Sequence, residues 1–133
     1  MAGERVPVSR RGQALVELAL LLPVLILLAM GTLDVGRVFQ GYLDLANATR
    51  EGAAYAALNP TDANLTSDVT NVMTTESNGL IPGTLNVTVS FSPNNSAGSQ
   101  VTVTATASYP LLTTAILGWR SLSLSASAGM MVQ

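Results

Sequence analysis

The chain is short, apolar and sparsely charged. It has 133 residues, of which 48% are hydrophobic and 11% are charged, whereas an ordinary soluble domain is about 25% charged. It contains no Cys and no His, which excludes disulfides, thiolate nucleophiles, nearly every zinc site and the usual general base of serine hydrolases. No pair of carboxylates stands out either, so we expect no enzymatic activity, no metal and no cofactor. The net charge of −2, with six cationic residues, argues against a nucleic-acid partner.

The first element predicted along the chain is a transmembrane helix. Residues 18–33 contain no charged residue, and residues 14–33 contain only Glu17. About 20 helical residues cover roughly 30 Å, the thickness of the hydrocarbon core of a bilayer. Apolar side chains occur on all sides of this helix, which favours lipid over a protein core as its surroundings. Cations cluster before the segment, so the positive-inside rule places the N-terminus in the cytoplasm. These cations are Arg5, Arg10 and Arg11.

Two residues inside this segment are unusual for an apolar helix. Pro23 cannot donate a hydrogen bond to Ala19 and predicts a kink, which is either tolerated by neighbouring groups or used as a hinge. Glu17 lies one turn into the segment, where a carboxylate is costly, so it is a candidate functional residue. Alternatively, its side chain reaches the headgroups or pairs with an arginine of its own chain.

The N-terminal sequence carries a resemblance to a known family. Residues 11–23 read RGQALVELALLLP, which resembles the opening of TadE-like proteins, the pseudopilins of tight-adherence (Tad, or Flp) pilus systems. The similarity continues in Gly-Arg-Val-Phe at residues 36–39 and, more loosely, in residues 108–110 and 122–128. The resemblance implies a structural protein of the bacterial inner membrane.

The resemblance also implies a processing site and partners. A prepilin peptidase would cut after Gly12, so that Gln13 becomes the first residue of the mature chain and Glu17 the fifth. The new α-amino group is cationic near neutral pH, and Glu17 can neutralise it and thereby select the axial register between packed subunits. The expected partners are this peptidase, other pilin or pseudopilin subunits or an inner-membrane assembly platform, further copies of the chain, and the lipid bilayer.

Beyond the membrane, the helix is predicted to continue over residues 34–58. Asp34 and Arg37 are spaced at i,i+3, and an alanine-rich run follows them. Glycines weaken this helix unless they allow close packing; they are Gly31, Gly36, Gly41 and Gly52. Small residues four apart let another helix approach, either from a second subunit or from the chain's own globular domain. These small residues are Thr32 with Gly36, and Ala48 with Gly52 and Ala56.

The remainder of the chain predicts a small α+β domain. Asn59 as N-cap and Pro60 at the first helical position predict a second helix over residues 60–78 with one apolar stripe. Period-two alternation then predicts an antiparallel sheet with one apolar face and one Ser/Thr face, the apolar face lying on the helix. The predicted strands are residues 84–92, 100–109 and 121–132.

The predicted fold is therefore α+β and pilin-like. A long N-terminal transmembrane helix continues into a small domain with a second short helix and a sheet of three to four strands. The predicted regions are a cytoplasmic leader (1–12), a transmembrane helix (13–33) and an extracytoplasmic domain (34–133).

The leading functional interpretation is a TadE-like pseudopilin that contributes to assembly of a Tad-type pilus or secretion apparatus. One alternative is an uncleaved single-pass anchor that binds extracytoplasmic partners, because Leu18 stands where cleaved family members usually have an aromatic residue. Another is a secreted binding or adhesin domain whose signal is cut near Gly31. The secreted alternative leaves Glu17 unexplained and requires an apolar run longer than that of a secretory signal.

Overall fold

A computed structural model describes residues 10–78, 81, 84–114, 118 and 121–133 of the chain. The fold is α+β, as predicted. Two helices come first, α1 (Arg10–Leu58) and α2 (Leu65–Glu76). Three strands follow, β1 (Leu85–Ser92), β2 (Gln100–Tyr109) and β3 (Leu122–Met131), and form one antiparallel sheet in the order β1-β2-β3.

Helix α1 is one uninterrupted helix of 49 residues. Its length is about 70 Å at 1.5 Å per residue. Pro23 lies within the helix and does not end it. All side chains from residue 12 to residue 26 are exposed, whereas the buried residues of α1 occur from Asp34 onward. The same helix therefore contains both the exposed apolar segment and the helical residues on which the globular domain packs.

The hydrophobic core forms where the C-terminal half of α1 meets the sheet. Alternate residues of β2 are buried against α1, while the threonines between them are partly exposed on the other face. The predicted apolar and hydroxyl faces of the sheet are thereby confirmed. The core residues of α1 are Leu45, Ala48, Ala53, Ala56 and Ala57, and those of β2 are Val101, Val103, Ala105, Ala107 and Tyr109.

The start of the second helix was predicted incorrectly. Asn59 does not cap α2, because its backbone and side-chain N–H groups both donate to the carbonyl of Tyr55 (3.1 and 3.0 Å) and so complete α1. The chain then turns through Asp62, whose carboxylate accepts the backbone N–H of Asn64 at 2.9 Å. Helix α2 begins only at Leu65. The Asn-Pro pair is part of this turn because Asn59 closes the preceding helix instead of opening the next one.

Helix α2 buries the apolar stripe predicted for it. Leu65, Val69 and Met73 are buried, and the helix ends at Glu76 with Ser77 as its C-cap. Asn78 follows with a left-handed φ of 47°, a conformation that stops a helix. The helix therefore ends two residues before the predicted end at residue 78.

The strands lie within the predicted ranges. β1 pairs with β2 from Leu85↔Ala107 to Ser92↔Gln100, and β2 pairs with β3 along its whole length. The residue after β3, Val132, is bonded to the loop before β2: its carbonyl accepts the N–H of Gly98 at 2.9 Å, and its N–H donates to the carbonyl of Ser99 at 2.8 Å. Between β2 and β3 runs a connector, residues 110–121, of which Pro110–Thr114, Gly118 and Ser121 are described.

Candidate functional site

The predicted processing residues lie in the first turns of α1. Gly12 is exposed and helical, and a Cβ placed on it would meet no atom within 4 Å. Gln13 follows directly, and its side-chain amide donates to the carboxylate of Glu17, one turn further along the helix, at 3.2 Å. Glu17 therefore lies directly beside the residue that the proposed cleavage would make N-terminal. Arg5 and the side chains of Arg10 and Arg11 lie outside the described part of the chain.

The apolar part of α1 fits a membrane anchor. Its most apolar 18-residue window has a mean hydropathy of 2.5, and none of that window is buried. A helix of this hydropathy in the core of a soluble protein would be mostly buried, so length, composition and exposure together fit lipid surroundings. Thr32 and Gly36 are both exposed, and a Cβ placed on Gly36 would meet no atom within 4 Å. The Thr32 hydroxyl donates to the Leu28 carbonyl at 2.9 Å within the helix.

The second row of small residues packs inside the chain's own domain. Ala48, Gly52 and Ala56 are all buried. A Cβ on Gly52 would lie 3.0 Å from side-chain carbons of both Val69 and Met73 on α2. Gly52 therefore allows α2 to approach α1, and the burial of all three residues fits packing within the chain's own domain, the second of the two alternatives left open by the sequence.

A buried carboxylate joins α1 to the connector at the end of the apolar segment. Asp34 is 5% exposed. Its two oxygens accept the backbone N–H groups of Leu112 (2.7 Å) and Thr113 (2.9 Å), and one of them also accepts the Thr113 hydroxyl (2.9 Å). We call Asp34, Leu112 and Thr113 the Asp34 clamp. It fixes the start of the connector against the helix one residue beyond the apolar span.

The clamp favours the ionised form of Asp34. Burial alone raises the pKa of this carboxyl, but the N–H groups of Thr113 and Leu112, the Thr113 hydroxyl and the Arg37 cation together hold its pKa below the ordinary value of 3.8. The carboxylate at the end of the apolar span thus has its charge compensated within the protein.

A second contact between α1 and the sheet depends on a glycine. Gly41 is buried beneath the ring of Tyr109, the last residue of β2, and a Cβ at Gly41 would overlap that ring. Burial and the nearby Asp44 carboxylate raise the pKa of Tyr109, while Arg37 opposes them. Gly41 is therefore a packing glycine, which the sequence identified only as one of four glycines in a helix.

Two carboxylates meet at the other end of the domain. Burial, together with the hydrogen bond and charge of Asp62, raises the pKa of Asp68. The Tyr55 hydroxyl lies 3.5 Å from the Asp62 carboxylate, and the pKa of Tyr55 is raised by burial and by both acids. Asp62 also holds the turn before α2, so this pair, which the sequence did not single out, has a structural position. Among the described residues, no group of three or more His, Cys, Asp or Glu could hold a metal ion.

Comparison with known proteins identifies the N-terminal part of the chain. Residues 12–54 match the model of a family described as TadE-like protein. These residues form a TadE-like segment. No curated protein and no solved structure matches the chain. The resemblance inferred from residues 11–23 is thereby confirmed.

The TadE-like segment contains every predicted processing, register and helix-packing residue except the last small residue, Ala56. It begins at the predicted cleavage site and ends within α1, so α2 and the whole sheet lie outside it. Asp34 and Gly41, the two residues that attach the sheet side of the domain to α1, lie within it. Sequence reasoning noted both residues but could not supply their partners, because Leu112, Thr113 and Tyr109 are more than 65 positions away.

Proposed function

We propose that the chain is a structural subunit, a TadE-like pseudopilin that contributes to assembly of a Tad-type pilus or secretion apparatus. In this proposal the first half of α1 anchors it in a bacterial inner membrane, with the N-terminus in the cytoplasm and the α+β domain outside. The observation that carries the proposal is that the TadE-like segment coincides with a helix exposed and apolar over its first half and buried in a small domain over its second.

The exposed half of α1 supports a role in packing against lipid or other subunits. Apart from the half-buried Leu27 and Met30, its large apolar side chains are exposed, with values from 46% for Ile26 to 72% for Leu20. The described part of the chain contains no element that covers them. A subunit that presents such a helix can remain in the bilayer or bundle with similar helices.

Cleavage after Gly12 is the first step to test. The full chain would be expressed in a bacterial host with and without a prepilin peptidase, and the N-terminal residue of the membrane fraction would be determined by mass spectrometry. We expect a start at Gln13 only when the peptidase is present. An intact start with the peptidase present would favour the permanent anchor, whereas a start near Thr32 would favour the secreted domain.

Two glycine variants separate the cleavage sites. Gly12→Val should block a cut after Gly12, because the peptidase cleft must accommodate the backbone of a residue without a side chain. Gly31→Val is the matched control, since neither glycine has an atom within 4 Å of an added Cβ. Processing that survives Gly12→Val but is lost in Gly31→Val would contradict the pseudopilin proposal.

Glu17 is proposed to neutralise the α-amino group produced by that cleavage. An α-amino group, whose ordinary pKa is about 7.7 to 8.0, is largely protonated at pH 7, and burying it in a helix bundle is costly without a counter-charge. Glu17→Gln keeps the size of the side chain and removes the charge. We expect normal membrane insertion and cleavage but reduced incorporation into the assembled apparatus, measured by cross-linking to other subunits. Glu51→Gln, an exposed residue of α1 in the globular domain, is the control.

A further inference from the structure

An apolar groove lies beside the Asp34 clamp, between α1 and the sheet. It is open, has a volume of about 680 Å³, and its walls come from the helix, the connector and β3. Three lining residues have polar atoms in their side chains, Asp34, Tyr42 and Thr113, and of these Asp34 and Thr113 are bonded to each other. The groove therefore offers no free charge to a polar ligand. Apolar residues that define it are Leu27, Val35, Phe39, Leu111 and Leu122.

The groove is continuous with the apolar span. Leu27 lies within the segment that contains no charged residue, and Phe39 lies 12 positions further along the same helix, which is roughly 18 Å at 1.5 Å per residue. If residues 14–33 cross the hydrocarbon core, the end of the groove at Leu27 opens among acyl chains, and the end at Phe39 reaches the headgroups. Lipid then contacts the groove at its Leu27 end.

The Asp34 clamp fixes the connector at the same depth. Because Asp34 follows the span directly, its bonds to the backbone of Leu112 and Thr113 hold these residues at the membrane boundary. Leu112 is 38% exposed, and Leu122, at the start of β3, is 41% exposed. The sequence from Pro110 to Ser121 contains one charged residue, Arg120, and the chain's only tryptophan. This composition is typical of segments at a membrane interface.

The two faces of the sheet differ in polarity. Successive side chains of a strand point to opposite faces, so Leu122 faces the groove side and Ser123 the other side. Ser123, Ser125 and Ser127 are exposed hydroxyl residues on that other side. The side chain of Leu122 therefore lies on the sheet face that packs on α1, at the edge of the groove, and Ser123 provides an exposed control on the opposite face.

We propose that Leu112 and Leu122 form a second lipid-contacting surface, which rests on the leaflet on the domain side and admits acyl chains into the groove. This proposal depends on the membrane anchoring set out under the proposed function. The domain is then held to the membrane at two places, the helix and the connector, and its orientation relative to the bilayer is restricted.

Spin labels at single cysteines test this directly. The chain has no Cys, so each variant carries one label site: Leu112→Cys, Leu122→Cys, the control Ser123→Cys, and Leu22→Cys within the span. The full-length chain would be reconstituted in vesicles of phosphatidylcholine and phosphatidylglycerol. Collision of each label with oxygen, which enriches in lipid, would be compared with collision with a water-soluble nickel chelate.

We expect the oxygen-to-nickel ratio at residues 112 and 122 to shift towards the value at Leu22, while the ratio at Ser123 remains that of water. A water-like ratio at 112 and 122, with Leu22 in lipid, would overturn the second surface and leave the anchor intact. A water-like ratio at Leu22 as well would overturn the anchoring. A third outcome is protection of the label at residue 122 from both reagents, together with spin–spin broadening that disappears when unlabelled chain is added. This outcome would show a second copy in the groove and overturn lipid contact.

Discussion

The two halves of α1 use apolar residues in different ways. Between residues 12 and 33 the helix is rich in Leu, Val and Ile, and its large side chains are exposed. Between residues 41 and 57 the buried positions are mainly Ala and Gly, with Leu45 as the largest. Large side chains suit a helix surrounded by fluid acyl chains, whereas small ones let a strand or a second helix approach the helix backbone. Hydrophobicity alone therefore does not show which half of α1 belongs to the core; the size of the apolar side chains distinguishes the two halves.

This contrast predicts that stability of the domain depends on one half of the helix only. Leu45 is 0% exposed and Leu20 is 72% exposed. Leu45→Ala should lower the free energy of unfolding by about 2 to 5 kcal/mol, because it removes buried methyl groups and leaves a cavity. Leu20→Ala should leave it within roughly 0.5 kcal/mol. Thermal unfolding of the full chain in detergent micelles, followed by near-ultraviolet circular dichroism, measures both.

The comparison would fail if the two alanine variants unfolded at the same temperature. Equal losses would mean that the exposed half is packed against protein in solution, and equal insensitivity would mean that Leu45 is not in a close-packed core. Analytical ultracentrifugation of Leu20→Ala would distinguish a loss of self-association from a loss of domain stability.

Two glycines sharpen the comparison at closer range. Gly41→Ala places a methyl group against the buried ring of Tyr109 and should cost about 1 to 3 kcal/mol of unfolding free energy. Gly36→Ala meets nothing within 4 Å and should stabilise the helix by up to about 1 kcal/mol. The same unfolding measurement gives opposite signs for two identical substitutions five positions apart. A stabilising Gly41→Ala would mean that Tyr109 does not pack on the helix.

The sequence predicted what depends on local pattern. The charge-free stretch, the alternation of Val and Thr in β2 and the helical spacing of Leu65, Val69 and Met73 each fix an element, and these elements are present in the structure. The start of α2 was wrong because Asn59 can either close a helix or open one. That choice depends on the contact of its side chain with the Tyr55 carbonyl, which the sequence does not specify.

The sequence could not predict the contacts that join distant segments. The spacing of Asp34 and Arg37 indicated their interaction, and the Arg37 cation does help to lower the pKa of Asp34, but the hydrogen bonds from the N–H groups of Leu112 and Thr113 were not foreseen. Backbone N–H groups carry no residue-specific signal, so no motif marks them as partners of a distant acid. The role of Gly41 could not be predicted for the same reason, because it depends on the position of the Tyr109 ring in the folded protein.

Asp34 lies at the boundary between the two halves of α1, and protonation of its carboxylate at low pH should weaken its hydrogen bonds to Leu112 and Thr113. Its pKa is lower in the fold than its ordinary value of 3.8, so its contribution to stability is fully present above pH 3.8 and is lost as pH falls through the folded-state pKa. The pKa of Asp68 is raised, so protonation of that residue stabilises the fold as pH falls and acts in the opposite direction. Asp34→Asn should therefore lower the free energy of unfolding at pH 7 and remove the part of its decrease at low pH that Asp34 causes. Asp68→Asn should retain that decrease at low pH. Urea unfolding of the full chain in micelles between pH 2.5 and 7 measures both slopes. If Asp34→Asn retained the wild-type acid limb, a different carboxylate would be responsible and the clamp would not hold the connector through charge.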